Sequence, residues 1–318
     1  MDVDVFISVC IPAYNRRDYL KRLLDSIQNQ TYRHFEVVIS DDSAGSEVED
    51  LIRQHPLMAS IRYFRNHLPA GTPENWNEAI RLAKGEWIKL MHDDDWFSDT
   101  RALQIFAEMV KKHPEASFFF SEYRNVYLEN NREEEVRISP FWKKRLIADP
   151  ANLISKNVIG PPSVTLHKKI PECTYDKQLK WLVDIDFYIR YLQSFSRPVP
   201  IPEMLICVGL GEDQVTRMCF RNPAVEIPEN LYLLKKYGVR RLKNIIVYDA
   251  FWRFVRNLGI RSLEDIKKMG YSAAVPAIIQ SMIKFQSAIP SRVLKAGIFS
   301  KSLMFLHYIF QYPKISRG

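Results

Sequence analysis

Four times within its first 115 residues the chain passes from a β-rich segment into a helix-like one, and this alternation restricts the fold more than anything else in the sequence. VFISVCIP is followed by DYLKRLLDSIQNQ, whose Leu20, Leu23, Leu24 and Ile27 fall on one helical face. FEVVIS precedes SEVEDLIRQ, and IRYF precedes PENWNEAIRLA, with Pro73 expected in the first helical turn. Gly85 ends that helix; EWIKLM then precedes SDTRALQIFAEMVKKH, with Ser98 or Asp99 as its cap. The order β-α-β-α-β-α-β-α predicts an α/β fold, a Rossmann-like and mostly parallel central sheet with flanking helices. Ligands of such sheets bind beyond the carboxyl ends of the strands. Three of those ends are polar here, Tyr14-Asn15-Arg16, Asp41-Asp42-Ser43 and His92-Asp93-Asp94-Asp95, and the topology predicts that they share one rim.

After residue 116 the alternation loosens. SFFFSEYRNVYL reads as a long strand, NNREEEVR as a solvated turn, GPPSVTLHKK as a rigid turn into a strand, and WLVDIDFYIRYLQSF as a helix with two aspartates near its start. From about residue 228 the chain is helical, basic and aromatic. Lys and Arg outnumber Asp and Glu by 45 to 37, a balance that suits phosphates, nucleic acid or an anionic membrane and separates none of them. No nucleic-acid partner is expected, because no recognised binding motif is present and the acidic rim opposes one. Cys10, Cys173, Cys207 and Cys219 lack CxxC spacing and read as reduced thiols of a cytoplasmic protein. MDVDVFISV has acids where a secretory signal needs positive charge, and nowhere do about 18 apolar residues run without a charge.

Three adjacent carboxylates repel one another, so such a turn needs a cation or keeps a proton. Taken alone, Asp93-Asp94-Asp95 fits a helix-capping turn, an ion pair with an arginine, or a hard cation held by oxygen ligands. Its place on a parallel-sheet rim favours the cation, with Mn2+ or Mg2+ matching the donor chemistry.

ISVCIPAYNRRDYLKRLLDSIQNQTYRHFEVVISDDSA, followed by ENWNEAIRLAKGEWIKLMHDDDW, resembles the family 2 glycosyltransferases of the GT-A fold, and the likeness runs from residue 5 to about residue 215. The resemblance implies transfer of a sugar from a nucleotide-diphospho-sugar to an acceptor hydroxyl, with inversion at the anomeric carbon. On it, Pro12, Ala13, Tyr14, Asn15 and Arg16 line the nucleotide pocket, and Asp42, assisted by Asp41, bonds the base; a UDP-sugar is favoured, though a guanine edge also offers donors. The family pattern Asp-x-Asp-Asp is met with His92 at the first acidic position, at the expense of one polar contact. Asp93 and Asp94 then serve the nucleotide sugar, and Asp95 is the direct ligand of Mn2+ or Mg2+.

On the acceptor side the family's Glu-Asp-x-Asp motif is matched by Val183-Asp184-Ile185-Asp186, which makes Asp184 the catalytic base and leaves Asp186 to orient the acceptor or neighbouring groups. Gly160, Pro161, Pro162 and Ser163 match a loop that shapes the acceptor pocket. Gln214 and Arg217 echo the Gln-x-x-Arg-Trp motif of processive synthases, but Met218 replaces the tryptophan, which favours single addition. The implied organisation is a GT-A catalytic domain over 1–225, with the donor side in 1–115 and the acceptor side in 116–225, and a C-terminal helical region over 226–318. VLKAGIFSKSLMFLHYIFQYPKISRG mixes lysines with large apolar residues, as an interfacial helix does, so peripheral membrane contact at the inner face of the membrane is expected. The acceptor would be a glycan or a lipid-linked one, in surface polysaccharide or lipopolysaccharide assembly. The rival within this class is a catalytically silent nucleotide-sugar-binding protein, for which Val183 and His92 speak; a nucleotidyltransferase is disfavoured because IPAYNRRDY has no glycine to cradle a triphosphate.

Overall fold

The computed structural model describes residues 5–211 and 219–317, so the expectations for Gln214, Arg217 and Met218 lie outside the described residues. Two compact units are present, residues 1–150 with 158–213, and residues 151–157 with 214–318.

The first unit contains β1 (Ile7–Ala13), α1 (Arg17–Gln28), β2 (Phe35–Asp41), α2 (Glu47–Gln54), β3 (Ile61–Arg65), α3 (Glu74–Leu82), β4 (Trp87–Leu90), β5 (Trp96–Phe97), α4 (Ala102–Lys112), β6 (Phe118–Tyr127), β7 (Arg132–Val136), α5 (Pro140–Ala148), β8 (Thr165–Lys168), α6 (Val183–Ser194) and β9 (Pro198–Leu210). The sheet runs β3-β2-β1-β4-β8-β6-β9-β5, with β7 beside β6. Its first four strands are mutually parallel; β8 then pairs antiparallel with both β4 and β6, which makes the sheet mixed beyond β4. β1 and β2 are buried on both faces, which is why ISVCIPA and VVIS read as unbroken apolar runs. Leu20, Leu23, Leu24 and Ile27 form the buried stripe of α1, as their spacing requires.

Three local expectations are corrected. NNREEEVR is not a plain turn: Arg132–Val136 pairs antiparallel with β6, and its charges meet partners in Arg124–Glu133 at 3.4 Å and Arg137–Glu122 at 2.5 Å. Charges of this kind keep an edge strand from recruiting another chain. Neither Ser98 nor Asp99 caps α4, because Trp96–Phe97 first pairs with β9 and the helix begins only at Ala102, with Arg101 at the cap position. Pro73 stands at the N-cap of α3, one residue before the first turn.

The second unit is helical: α7 (Pro223–Tyr237), α8 (Ile245–Asn257), α9 (Leu263–Lys268), α10 (Ala277–Ser287), α11 (Ser291–Lys295) and α12 (Gly297–Arg317). Its starts are set by side chains, since Asn222 and Asn244 accept the N–H groups of Ala224 and Ile246, and Ser262 forms a capping box with Asp265. Leu231, Leu234, Phe251, Trp252, Ile279 and Met282 are at its core. Among the described residues no helix is long and apolar enough to cross a membrane.

Candidate active site

The ends of β2, β1 and β4 are adjacent and point the same way, and the three polar clusters meet there. Asn15 takes a left-handed φ of 56°, tolerated by asparagine, and its N–H donates to Ser43 Oγ at 2.8 Å. The next residue reaches across to the aspartates. Arg16 donates from Nη2 and Nε to the two oxygens of Asp93, at 2.5 and 3.2 Å, and from Nη1 to Asp94 at 3.1 Å. The guanidinium sequence reasoning gave to the nucleotide pocket is thus the countercharge of two of the three carboxylates. Of its neighbours, Tyr14 and Asn15 are exposed on the rim, while Pro12 and Ala13 are the last residues of β1.

Asp93, Asp94 and Asp95 are all buried. Burial, with the charge of Asp94 adding to it, pushes the Asp93 carboxyl up to about 7 against the pull of Arg16. Asp95 is held well above the usual carboxylate range, first by burial and then by Asp94, although the Ser163 hydroxyl, the Gly209 N–H at 3.1 Å and the charge of Lys89 oppose the shift. Lys89 is a residue sequence reasoning passed over. It is fully buried in β4, donates to the carbonyl of Ser163, and lies 5.6 and 5.2 Å from the ring centroids of Phe97 and Phe106; burial lowers its ammonium to about 7. A lysine between apolar neighbours in a central strand is the signal that could have found it.

The backbone of the aspartate turn is held too. Arg22, stacked 3.8 Å over Trp96, donates to the carbonyl of Asp94 at 2.8 Å. β9 passes so close that a Cβ added at Gly209 would stand 2.3 Å from that same oxygen. No pattern in the sequence marked Gly209, because the approach joins segments more than a hundred residues apart.

His92 is more than a lost acidic residue. Its N–H donates to Ser163 Oγ at 3.0 Å, its ring is 4.6 Å from that of Trp76, and its Nε2 is a buried atom without a hydrogen-bond partner among the described residues. Burial lowers the imidazole to about 4, so at neutral pH it is uncharged and able to ligate. His92, Asp94 and Asp95 each offer a ligand atom, all within 4.8 Å of one another. One nitrogen and two carboxylates suit a divalent ion such as Mn2+, which accepts imidazole as well as oxygen.

At the end of β2, Asp41 is fully buried and accepts the Ser43 N–H and the Tyr63 hydroxyl, each at 2.8 Å. Asp42 accepts from Asn66 Nδ2 at 2.7 Å and from the N–H groups of Ala70 and Gly71 at 3.0 and 2.8 Å. Three of the four acceptor positions of its carboxylate are thereby used to tie residues 66–71 to the end of β2.

In the loop before β8, Gly160 has φ 110° and lies against Tyr123, whose ring a Cβ there would meet at 2.6 Å. The loop it begins reaches the aspartates through Ser163, buried against His92, Asp95 and Lys89. Pro161 and Pro162 hold the turn rigid in between. Asp184 lies in the first turn of α6, half-buried, and its Oδ1 accepts the Ile185 N–H at 2.8 Å. Burial and then the charge of Asp184 push the Tyr123 phenol up to about 12, with Asp95 adding to it, so Tyr123 stands in the field of both carboxylates. Asp186 is fully buried and paired with Arg190 at 2.8 Å, and Arg190 also donates to the carbonyl of Thr174. Two residues along a helix point about 200° apart, which separates the two aspartates.

The mixed sheet, with this rim at the ends of its parallel strands, is of the GT-A type. Among solved structures, S. aureus TarS 1–349 in complex with UDP-GlcNAc superposes with a TM-score of 0.58 at 15% identity, over 98% of this chain and 92% of that one. The mannosyltransferase PcManGT from Pyrobaculum calidifontis, in complex with GDP-Man and Mn2+, gives 0.51 at 13% identity, over 98% of this chain and 75% of that one. The model of glycosyl transferase family 2 matches residues 8–161. Escherichia coli WcaA, described as a colanic acid biosynthesis glycosyl transferase, is 27% identical over 218 residues, 66% of this chain and 75% of WcaA. Escherichia coli WfaP, a UDP-Glc:α-D-GlcNAc-diphosphoundecaprenol β-1,3-glucosyltransferase, is 31% identical over 126 residues, 39% of this chain and 47% of WfaP.

Proposed function

We propose that the chain transfers a sugar, with inversion, from a nucleotide-diphospho-sugar, foremost a UDP-sugar, to a hydroxyl of a glycan or lipid-linked acceptor in surface polysaccharide assembly, at the inner face of the membrane. The single observation that carries the reading is the rim, where His92, Asp94 and Asp95 present three ligand atoms within 4.8 Å beside the ends of β1 and β2. The acts named for WcaA and WfaP, and the UDP-GlcNAc and Mn2+ of the superposed structures, support the substrate class and the cation.

In this reading residues 1–225 hold both sides of the reaction. Asp42 at the end of β2 meets the base, with buried Asp41 assisting from behind through Ser43 and Tyr63, and Arg16 turns its remaining N–H groups to phosphate oxygens while holding Asp93 and Asp94. His92, Asp94 and Asp95 hold Mn2+ or Mg2+, which when bound neutralises the leaving diphosphate. Asp184 takes the proton of the acceptor hydroxyl from the face opposite the nucleotide, its negative charge favoured at a helix N-terminus. Gly160 to Ser163 carry the acceptor wall and, through Ser163, fix it to the aspartate turn. Asp186 acts on neighbouring groups, orienting Arg190.

Titration calorimetry of UDP, GDP and dTDP with and without Mn2+ tests the donor side. Tight binding of one nucleotide that weakens on chelation is expected; equal affinity for all three after chelation sinks the cation. Donor binding without transfer or hydrolysis of any sugar nucleotide would instead identify a silent binding protein.

A further inference from the structure

The chain's excess charge is confined to its last 53 residues. Residues 266–318 contain eight of the 45 Lys and Arg and none of the 37 Asp and Glu, so residues 1–265 are balanced at 37 of each and the whole net charge of +8 lies in this segment. The same segment carries α12, which buries one face and leaves another open. Inward are Ser300, Met304, His307 and Ile315. Outward are Ile298, Phe299, Phe305, Leu306, Ile309 and Phe310, from 45 to 84% exposed. At 100° per residue these six fall within an arc of about 140°, and Lys301 and Lys314 stand about 40° beyond its two edges.

The outward face is the more apolar of the two, and polar bonds keep it outward. Trp252 Nε1 and Arg256 Nη1 donate to Ser300 Oγ at 3.1 and 3.0 Å. His307 is joined to the Tyr248 hydroxyl through Nδ1 at 2.7 Å and to Ser281 through Nε2 at 3.1 Å. Rolling α12 to hide its phenylalanines would break all four contacts and strand buried donors. These bonds therefore hold the apolar face on the outside of the second unit.

We infer that this face is a docking surface for an anionic lipid bilayer, with the six apolar side chains entering the headgroup boundary and Lys301 and Lys314 at its edges meeting lipid phosphates. An apolar strip edged by cations, on a helix too polar to span, is the arrangement of an interfacial helix. Arg292 and Lys295 add two exposed cations on the adjacent α11. Charge decides for lipid against a second copy of the chain, since two such faces would bring like charges together without an acid between them. The inference deepens the membrane placement proposed above and is independent of the sugar chemistry.

Flotation of the full chain with phosphatidylcholine vesicles, with and without phosphatidylglycerol, tests it. The chain should float with the anionic vesicles and little with the neutral ones, less so as salt rises. Lys301→Gln and Lys314→Gln should each lower partition about fivefold. Phe299→Ser and Phe310→Ser should each lower it about tenfold. All four positions are exposed, so an unchanged melting temperature identifies folded variants. No flotation of the parent chain, or equal flotation of parent and Phe variants, overturns the inference. So does a dimer that the Phe variants dissolve while no vesicle is bound. Nucleoside diphosphate binding measured on the same samples is unaffected by these outcomes, and its own absence would sink only the catalytic reading.

Discussion

Gly209→Ala is the sharpest test of how the aspartate turn is held. The added methyl would lie 2.3 Å from the Asp94 carbonyl oxygen and 3.2 Å from Arg22 Nη2. The first distance is more than about 1 Å inside ordinary contact, and the obstacle is backbone, so β9 or the turn must shift by roughly that amount. Overpacking of this kind costs about 1–3 kcal/mol, which in a unit of this size lowers Tm by about 2–12 °C. The shift acts on the two carboxylates assigned to the cation, and a misplacement of about 1 Å costs on the order of 10²-fold in rate. Thermal melts and kcat/KM for donor turnover or hydrolysis measure the two effects. Gly297→Ala is the control, because nothing lies within 4 Å of a Cβ there and the residue begins a helix, where alanine is no worse than glycine. Parental Tm and parental turnover for Gly209→Ala would refute the close approach, and a lower Tm with full turnover would refute the role of the turn.

Asp184→Asn should cut turnover by about 10²- to 10⁴-fold with donor affinity unchanged by calorimetry, as expected of a group acting on the acceptor proton; Asp186→Asn should instead lower Tm by removing the buried negative charge that pairs with Arg190, and the reverse pattern exchanges the roles. His92→Ala should weaken Mn2+-dependent nucleotide binding while leaving cation-free binding near the parental value, measured by calorimetry; no change would remove His92 from the donor set. Burial lowers His307 to about 4, so between its unfolded value near 6.5 and about 4 the unfolded chain binds the extra proton. Its contribution to stability is thus full above about pH 6.5 and lost as pH falls, with about 2 kcal/mol gone at pH 5. Urea melts at pH 7.5 and 5 should show a smaller difference for His307→Gln than for the parent, and equal differences would refute the assignment.

The N-terminal part of the sheet was legible because each signal was local. A 3.6-residue period marked α1, unbroken apolar runs marked β1 and β2, and polar residues at three strand ends marked the rim. β5 was not, since a two-residue strand has no period and exists only because β9 pairs with it. β7 was missed for a different reason: its charges look solvated in sequence, and their cross-strand partners appear only in the hairpin. The adjacency of the three strand ends follows from the sequence pattern, but the pairing of their side chains does not. That Arg16 would face Asp93, or Ser163 reach His92, depends on separations of 77 and 71 residues that no window contains.

Lys89 adds a consequence for how such a chain can diverge. Its ammonium and the Asp95 carboxylate lie in one buried region and each shifts the other's titration. Changing the lysine to an apolar residue leaves the Ser163 carbonyl without its donor and the aspartate without that charge; changing the aspartate leaves a positive charge in the core facing Phe97 and Phe106. Either single step is costly, while the paired replacement removes both charges together, so the two losses should be strongly non-additive in a double-mutant cycle. Positions 89 and 95 are then one unit of inheritance, and descendants that exchange one are expected to have exchanged the other.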